Sequence, residues 1–268
     1  MIPKIIHTCW FSNDEFPEDV KKCMDSWKNK LPDYEIKVWN LDLLNGTEVN
    51  KCQYFVEAIK EKKWAFASDF VRLYVLYNEG GIYLDSDIEV FKTFDSMLNQ
   101  KAFTGMEDEK HIAAWIFGSE KGNELFKEFI NDYENRHFVM ADGRYDMTPN
   151  PIPITKRLIK HGLDFNMYDK IQRLDYINIY PMDYFCPFNP IRKGRDLFTD
   201  NTMCNHHFNG AWRPKNEQIS INIEQRLRSK LGYTLAHILV MPFFIYNKIM
   251  QIGIKGTIKY SFNKIRWK

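Results

Sequence analysis

The sequence lacks the cysteine spacing of zinc and redox sites, since no two of its five cysteines form a C-x-x-C pair. An odd number of widely spread cysteines also argues against a disulfide framework. The opening segment MIPKIIHTCWF lacks the apolar stretch of a secretory signal. Reduced thiols in a cytoplasmic protein are therefore the simplest interpretation.

Acidic residues are absent from the last part of the chain. From Arg226 to Lys268 there are nine basic residues and no acidic one, so the net charge of +2 divides into +9 in this tail and −7 before it. Such an asymmetry is typical of a segment that meets an anionic surface. The small overall charge gives no reason to expect a nucleic-acid partner, and we predict none.

A clean membrane-spanning run is lacking as well. A transmembrane helix needs roughly 20 mostly apolar residues. Residues 231–254 reach that length, but His237, Pro242 and Lys248 interrupt their apolar sequence. We predict instead a pair of amphipathic helices on the membrane surface, with lysines at the headgroups. This places the protein peripherally at the inner face of the cell membrane. A helix docked on the domain, or a spanning helix, is the alternative.

What the chain does have is the alternating strands and helices of an α/β fold. Apolar residues make up 44% of it, enough for a sizeable core. Strands are predicted at residues 3–11, 34–39 and 82–87, and helices at 16–30, 50–63, 65–80 and 121–136. This order predicts a Rossmann-like, mostly parallel sheet flanked by helices in residues 1–225, followed by a basic amphipathic helical tail in residues 226–268.

Two aspartates follow a predicted strand in NEGGIYLDSDIEVF, residues 78–91. Asp85 and Asp87 have the same parity, so in an extended segment their carboxylates point to one side. Two hard oxygen ligands suit Mg²⁺ or Mn²⁺, and ligands of parallel sheets bind at the carboxyl ends of strands. Aspartates at this spacing also occur by chance in exposed loops, so the motif alone does not establish a metal site.

The helix before this strand carries a second pair of charged residues. Asp69 and Arg72 lie, with Ser68, off the apolar stripe of the predicted helix at 65–80. As a surface ion pair they would contribute about 0.2–0.5 kcal/mol. As a site they would offer a carboxylate to sugar hydroxyls and a guanidinium to hydroxyls or phosphate. These residues alone favour neither interpretation.

Three segments together, IPKIIHTCWF, ASDFVRLYVLYNEGGIYLDSDIEV and HHFNGAW, resemble glycosyltransferase family 32, the sugar transferases with a DXD motif. This family includes fungal α-1,6-mannosyltransferases and bacterial capsule and lipopolysaccharide enzymes. It is distantly similar to the glucosyltransferase domains of clostridial toxins. The matching segments lie between residues 2 and 212, and the central one, residues 67–87, is the most specific. The tail lies outside the resemblance.

The resemblance implies a GT-A fold, a nucleotide-sugar donor, a divalent metal (Mn²⁺ or Mg²⁺) and retention of the anomeric configuration. Ser68, Asp69 and Arg72 would contact the donor. Asp85 would contact its sugar or ribose and share the metal, and Asp87 would bind the metal directly. UDP-hexoses are the favoured donors, with GDP-mannose as the other option.

Residues near both ends of the matching region also receive roles from the resemblance. His207 would be a third metal ligand, with His206 as the neighbouring alternative, and Trp212 would lie near the diphosphate and the leaving oxygen. The predicted catalytic set is Asp69, Arg72, Asp85, Asp87 and Trp212. The nucleotide pocket would be lined by Ile5, His7 and Trp10, with Trp10 as the candidate for the base.

Departures from the family pattern bear on specificity. Ala211 stands where the family often has serine, so a hydroxyl near the leaving phosphate is missing or comes from Asn209. Ala113 and Ala114 stand near the position of a family asparagine, in a region that faces the acceptor in relatives. Glu107 and Asp108 are open to two interpretations, acceptor-binding or catalytic carboxylates and a solvated acidic turn, of which the turn is favoured.

The predicted function is metal-dependent, retaining transfer of a hexose to a glycan acceptor in cell-surface polysaccharide synthesis. The acceptor is lipid-linked if the tail lies on the membrane. Two other classes stay open at this point. A metal-dependent phosphatase or nucleotidyltransferase would also use paired aspartates, but leaves the helix with Asp69 and Arg72 unexplained. A non-catalytic, membrane-bound glycan-binding subunit would not need those residues intact. The oligomeric state is left open.

Overall fold

The structure is a computed structural model that describes residues 1–12, 14–189, 196–210 and 215–266. The described helices are α1 Glu18–Lys30, α2 Leu41–Leu44, α3 Gln53–Lys60, α4 Trp64–Glu79, α5 Glu124–Asn131, α6 Pro151–Lys160, α7 Met182–Phe185 and α8 Lys215–Arg266. The described strands are β1 Ile5–Cys9, β2 Glu35–Trp39, β3 Gly81–Leu84, β4 Ile88–Val90, β5 Ala102–Gly105, β6 Ile116–Ser119, β7 Gln172–Arg173, β8 Asn178–Tyr180 and β9 Cys204–His206.

A mixed sheet of seven strands, in the order β2-β1-β3-β6-β5-β8-β7, forms the centre of the fold. β1 pairs in parallel with β2 and β3, and β5 with β8, whereas β6 runs antiparallel to β3 and β5. Every strand of the sheet except β6 and β7 therefore runs in one direction. Together with the helices that pack on it, this sheet confirms the predicted α/β fold with a mostly parallel sheet.

Both faces of the sheet are covered, which explains the apolar sequence of the interior strand β3. Tyr83 of β3 packs into a cluster with side chains of α3, α4 and α5. Its neighbours Ile82 and Leu84 pack with Trp27 of α1 in a second cluster. Because strand side chains alternate between faces, a strand buried on both sides needs an unbroken apolar run. GIYL, with all four residues buried, is such a run.

The turn from α4 to β3 depends on its two glycines. Gly80 and Gly81 adopt φ values of 73° and 103°, which residues with a Cβ rarely take. A Cβ on Gly81 would lie 2.8 Å from both His7 Nε2 and Ile5 O. His7 Nε2 donates to Gly80 O at 2.7 Å, because its Nδ1 accepts from Trp39 Nε1 at 3.0 Å. His7 thereby fixes the turn that joins the helix of Asp69 and Arg72 to the strand of the aspartates.

The observed elements differ from the predicted ones at two places. The strand predicted at 82–87 ends at Leu84, and Ile88 N donates to Asp85 O at 3.2 Å, so residues 85–88 form a turn. The helix predicted at 50–63 is divided into a 3₁₀ turn, Glu48–Lys51, and α3. The turn at the aspartates matters for the site, because it replaces the extended segment that the parity argument assumed.

The described residues form two compact units, one up to Phe208 and one from Asn209 onward. The division lies upstream of the 225/226 boundary predicted from the basic run, because the helical part begins before that run does. In the second unit α8 spans 52 residues, but Gly232 and Gly253 have φ of 75° and 70° and interrupt it. The unit therefore consists of three consecutive helical stretches rather than one rod.

Polar contacts join the first two stretches of α8 into a helical hairpin around Gly232. Asn247 Nδ2 donates to Ser220 Oγ at 2.9 Å, and His237 Nδ1 lies 3.1 Å from Glu224 Oε1. Many of its large apolar side chains face away from the hairpin. Those more than half exposed include Leu235, Ile238, Leu239, Phe243, Tyr246 and Met250. Within the described part of the chain, no helix has the length and apolarity needed to cross a bilayer.

Candidate active site

Asp85, Asp87 and His206 converge at the carboxyl end of β3. Each offers one ligand atom, and these atoms lie within 4.8 Å of one another. His206 Nε2 lies 3.1 Å from Asp87 Oδ1, and their side chains are only 12% and 14% exposed. β4 follows the turn and pairs antiparallel with β9, with Ile88 opposite His206. The turn and this two-stranded ladder bring the three side chains together.

His206, rather than the predicted His207, joins the aspartates. His207 Nε2 lies 3.1 Å from Glu89 Oε2, and both side chains are more than 40% exposed. Asp87 lies in the turn before β4 rather than in the strand, so the turn and not strand alternation brings its carboxylate to His206. Spacing along the chain favoured His207, but spacing does not show in which direction a side chain points.

The residues at this point fit a divalent cation. The three carboxyl groups of Asp69, Asp85 and Asp87 outnumber the one guanidinium, that of Arg72, so the site has acidic groups that a cation can neutralise. His206 Nδ1 is buried without a hydrogen-bond partner among the described residues. Paired carboxylates suit Mg²⁺ or Mn²⁺, and the imidazole favours the softer Mn²⁺. Asp85, Asp87 and His206 are therefore the residues that would hold such an ion.

Replacing each histidine separately tests this correction. We expect His206→Gln to weaken Mn²⁺ binding by at least the roughly 10- to 100-fold that loss of a supporting partner costs, because the cluster loses its nitrogen ligand. His207→Gln is the matched control, and its affinity should equal that of the unchanged protein. Titration calorimetry with Mn²⁺ measures both. Weakening by the His207 variant alone would restore the original prediction.

Arg72 bridges two acidic groups of the site from a buried position. The residue is 4% exposed, and its Nη2 lies 3.0 Å from Asp69 Oδ1 and 3.2 Å from Asp85 Oδ1. Nη1 donates to Ala114 O, and Nε donates to Ser68 O at 3.2 Å. Burial raises the pKa of Asp69 to about 7 and also raises that of Asp85, while Arg72 opposes both shifts. Because Arg72 is buried, the interpretation of Asp69 and Arg72 as a surface ion pair is excluded.

Two residues that the sequence argument did not single out extend this network. Tyr83 OH donates to Asp85 Oδ1 at 2.9 Å, and the Arg72 guanidinium carbon lies 4.8 Å from the Tyr83 ring centroid. The thiol of Cys9 lies near the same groups; burial raises its pKa, and Arg72 lowers it. Tyr83 stands two residues before Asp85, so strand parity was a usable signal for it. Cys9 carried no comparable signal.

The residues predicted to line the nucleotide pocket are not brought together. Trp10 follows β1 at the same sheet end as the aspartates, and its Nε1 donates to Asp14 O at 3.0 Å. Ile5 lies four residues earlier than the end of β1, about 13 Å away along an extended strand. His7 is fully buried and uses both ring nitrogens within the protein. Only Trp10 of the three is therefore placed to meet a ligand at this end.

Ser68 supports Arg72 rather than facing outward. Its Oγ donates to Ala65 O at 2.7 Å and accepts from Arg72 Nη2 at 3.2 Å. The hydroxyl thus helps to orient the guanidinium that holds the site's carboxylates. Trp212 and Ala211 lie outside the described residues, so the role predicted for Trp212 stays a prediction.

Glu107 is half-buried beside the metal cluster. Burial raises its pKa to about 7, whereas nearby His206 and the Trp115 indole lower it. The Trp115 ring centroid lies 4.8 Å from that of His206. The solvated acidic turn favoured from the sequence therefore describes Glu109, which is exposed, and not Glu107.

Several residues of the site lie in a part of the chain that matches a known protein family. Residues 17–104 match the family model described as the glycosyltransferase sugar-binding region containing the DXD motif. This match includes α4 and its Asp69–Arg72 pair, the two glycines of the following turn, and both aspartates.

Two mannosyltransferases of a yeast are among the proteins with similar sequences. Inositol phosphoceramide mannosyltransferase 3 of Schizosaccharomyces pombe is 28% identical over 153 residues, which are 55% of this chain and 43% of the relative. Inositol phosphoceramide mannosyltransferase 1 of the same yeast is 24% identical over 276 residues, 99% of this chain and 79% of the relative. The first match thus spans less than half the relative's length. Among solved structures, the PaToxG glycosyltransferase aligns with a TM-score of 0.45 at 23% identity, covering 59% of this chain and 69% of that one.

Proposed function

We propose that this chain is a glycosyltransferase of the DXD sugar-transferase group whose region residues 17–104 match, and that it moves a hexose from a nucleotide-sugar donor to a glycan acceptor, with a divalent metal and with retention of configuration. The observation that carries the proposal is the convergence of Asp85, Asp87 and His206 beside the buried Arg72. A metal and a guanidinium at one point supply the positive charge that a departing diphosphate needs.

The proposed chemistry is stabilisation of charge on the leaving group. Asp85, Asp87 and His206 would hold the ion, which supplies Lewis-acid stabilisation of the diphosphate oxygens. Such preorganised electrostatics are usually the largest contribution to catalysis. Asp69 would accept hydrogen bonds from sugar hydroxyls while Arg72 holds its carboxylate in place. Arg72 binds both Asp69 and Asp85, so each of these carboxylates is held by an ion pair rather than available as a nucleophile. This favours attack by the acceptor hydroxyl on the same face of the sugar from which the diphosphate departs.

The proposed donor is a UDP-hexose or GDP-mannose. The sequence favoured UDP-sugars, whereas the names of the yeast relatives point to mannose as the transferred sugar and so support GDP-mannose. The same names describe an inositol phosphoceramide acceptor, which supports a lipid-linked acceptor for this chain as well. Cell-surface polysaccharide synthesis is the process we propose for it.

A panel of nucleotide sugars tests the reaction. The full chain is incubated with Mn²⁺ and each of UDP-glucose, UDP-galactose, their N-acetyl relatives and GDP-mannose, and release of the nucleoside diphosphate is measured without acceptor. We expect slow hydrolysis of one donor that stops on chelation with EDTA. Release that is insensitive to EDTA would contradict the metal-dependent mechanism, and the absence of release with every donor would contradict the proposed donors.

We further propose that the second unit lies on the anionic inner surface of the cell membrane, where a lipid-linked acceptor is within reach. Its exposed apolar side chains, and the nine basic residues without an acidic one from Arg226 to Lys268, support this location. Interfacial helices combine such an apolar surface with charge attraction to anionic lipids. An apolar surface of this kind is otherwise a liability in water.

Placing charge on that surface tests the location. We expect Leu239→Asp combined with Phe243→Asp to weaken binding to phosphatidylserine vesicles at least tenfold, because each side chain contributes about 1.5–3 kcal/mol when buried in an apolar phase. Leu43→Asp, at a residue of the first unit that is 56% exposed, is the matched control. Vesicle sedimentation measures binding, with phosphatidylcholine vesicles as the neutral reference. Equal sedimentation of all variants would show that α8 is not the anchor.

A further inference from the structure

A cavity of about 230 Å³ lies between α4, the end of α5 and the beginning of α6. Leu73 of α4, Tyr133 after α5 and Ile154 of α6 are among the residues that line it. Pockets for whole small-molecule ligands usually measure about 300–1,000 Å³, so this space suits one ring of a ligand rather than a nucleotide sugar. The residues of the metal cluster do not line it, so the proposed metal chemistry leaves the cavity unexplained.

Direct contacts lead from the metal cluster to this cavity through Asp69. Arg72 joins Asp85 to Asp69, with Nη2 within 3.2 Å of a carboxylate oxygen of each. Asn150, which lines the cavity, donates from Nδ2 to Asp69 O at 3.2 Å, and its Oδ1 accepts from Tyr133 OH at 3.1 Å. Asp69 therefore lies between the cluster and the cavity in this path of contacts. The cavity adjoins the place proposed for the donor sugar.

Arg136 brings hydrogen-bond donors to the lining of the cavity. Its Nε donates to Asp146 Oδ2 at 2.7 Å, and its guanidinium carbon lies 4.6 Å and 4.9 Å from the ring centroids of Tyr54 and Tyr133. These contacts hold the guanidinium in place. Within the described part of the chain, however, its two Nη atoms have no hydrogen-bond partner. Because a guanidinium presents its N–H groups in a fixed planar fork, the remaining groups are oriented donors for a ligand.

A ring with several hydroxyl groups suits this lining better than an anion does. Asp132 and Asp146 also line the cavity, each paired with an arginine, Arg157 and Arg136 respectively. Their carboxylates offset the charge that would attract a phosphate. Hydroxyl groups accept from a guanidinium and donate to a carboxylate. A sugar or polyol ring therefore uses both kinds of group, whereas a phosphate would meet two carboxylates.

We propose that this cavity is a subsite for one hydroxyl-rich ring of the acceptor, held by Arg136 and Asp146. The proposal rests on the proposed sugar transfer, because it places the acceptor ring next to the donor sugar at Asp69. The attacking hydroxyl must reach the donor sugar directly, and the cavity adjoins that position. All of the lining residues except Leu73 lie outside residues 17–104, which match the family model. The subsite is thus separate from the DXD region.

Saturation-transfer NMR with the full chain tests ring binding directly. The probes are methyl α-mannoside, methyl α-glucoside, methyl β-galactoside and myo-inositol, with Mg²⁺ and either UDP or GDP present. We expect at least one ring to receive saturation from the protein. Thr148→Trp, which fills the cavity from an exposed lining position, should abolish this signal. Met147→Trp, at the neighbouring exposed residue that does not line the cavity, is the matched control and should retain it. No signal with any ring, or equal signals from the two variants, would overturn the proposal.

Arg136→Lys tests the role of the guanidinium. The lysine keeps the positive charge but loses the planar fork. We expect the affinity for the ring to fall at least tenfold, about the effect of losing a hydrogen bond to a charged group. The melting temperature of the variant shows whether it is folded. An affinity equal to that of the unchanged protein would contradict the proposal.

Competition with the unchanged protein identifies what the cavity holds. UDP-glucose or GDP-mannose should leave the ring bound, because donor and acceptor are held at the same time. Displacement of the ring by a nucleotide sugar would assign the cavity to the donor sugar, and displacement by inorganic phosphate would show an anion site; either result overturns the proposal. If no donor is hydrolysed while a ring still binds, the proposed sugar transfer fails and the acceptor assignment fails with it. If a donor is hydrolysed and no ring binds, only the subsite fails.

Discussion

Asp87→Asn is expected to abolish sugar transfer while leaving the fold intact. The side chain is 14% exposed and lies 3.1 Å from His206, so an amide of the same shape fits the space but loses the charge that would hold a cation. We expect at least a 100- to 1,000-fold lower turnover, the usual effect of removing one electrostatic contact to the leaving group. Donor binding should also lose its dependence on Mn²⁺. Nucleoside diphosphate release and Mn²⁺ calorimetry measure the two effects.

Glu89→Gln is the matched control for Asp87→Asn. Glu89 lies two residues further along, pairs with His207 and is 43% exposed, so it stands on the same ladder but outside the metal cluster. Its variant should retain full turnover. Thermal unfolding of both variants separates a lost site from a lost fold. If Asp87→Asn kept full activity, Asp87 would not belong to the site. If the unchanged protein kept full activity in EDTA, the reaction would not need a metal.

Arg72→Met should lower both activity and stability, because it leaves Asp69 and Asp85 without their shared cation. Breaking a buried ion pair by removing one partner typically costs about 3–5 kcal/mol, and Arg72 is only 4% exposed. Protonation of Asp69, whose pKa burial raises to about 7, relieves part of that cost. We therefore expect the lower end of the range in urea unfolding and at least a 100-fold loss of turnover.

The double variant Arg72→Met with Asp69→Asn separates the two effects. It removes one of the stranded carboxylates, so stability should recover in part while turnover stays low. Arg144→Ala is the control for loss of an arginine, since its pair with Asp142 is exposed and stability should not change measurably. If Arg72→Met were as stable as the unchanged protein, the buried bridge would contribute nothing to the fold.

The sequence predicts the part of the site that depends on local order. Asp69, Arg72, Asp85 and Asp87 lie within one helix, one glycine turn and one strand end, and periodicity and turn chemistry give each of these elements. The α/β class follows from the same alternation. These residues are close together along the chain, so short-range rules position them.

The rest of the site depends on contacts between distant segments. His206 reaches Asp87 through the pairing of β4 with β9, and the register of that pairing is not written in either segment alone. Glu107 appears in the sequence as part of an acidic turn, yet it is half-buried and burial raises the pKa of its carboxyl. Ile5 and His7 lie away from the aspartates for the same reason, since the apolar pattern of a strand does not show which of its residues are near the site.

The stability that His7 gives to the turn at Gly80 depends on pH. Burial lowers the pKa of His7 although its bond to Gly80 O opposes this, so the folded protein keeps the imidazole neutral where the unfolded chain has the ordinary pKa of about 6.5. Stability from this contact is therefore complete above that value. It declines as the pH falls toward the lower pKa of the folded state, because only the unfolded chain then takes up the proton. Urea unfolding of the unchanged protein and of His7→Gln between pH 5 and 8 should show this decline as the difference between the two, because Asp69 and Glu107, whose pKa values burial raises to about 7, give both proteins the opposite trend. Acidification is thus expected to loosen the turn between the Arg72 helix and the strand of the aspartates.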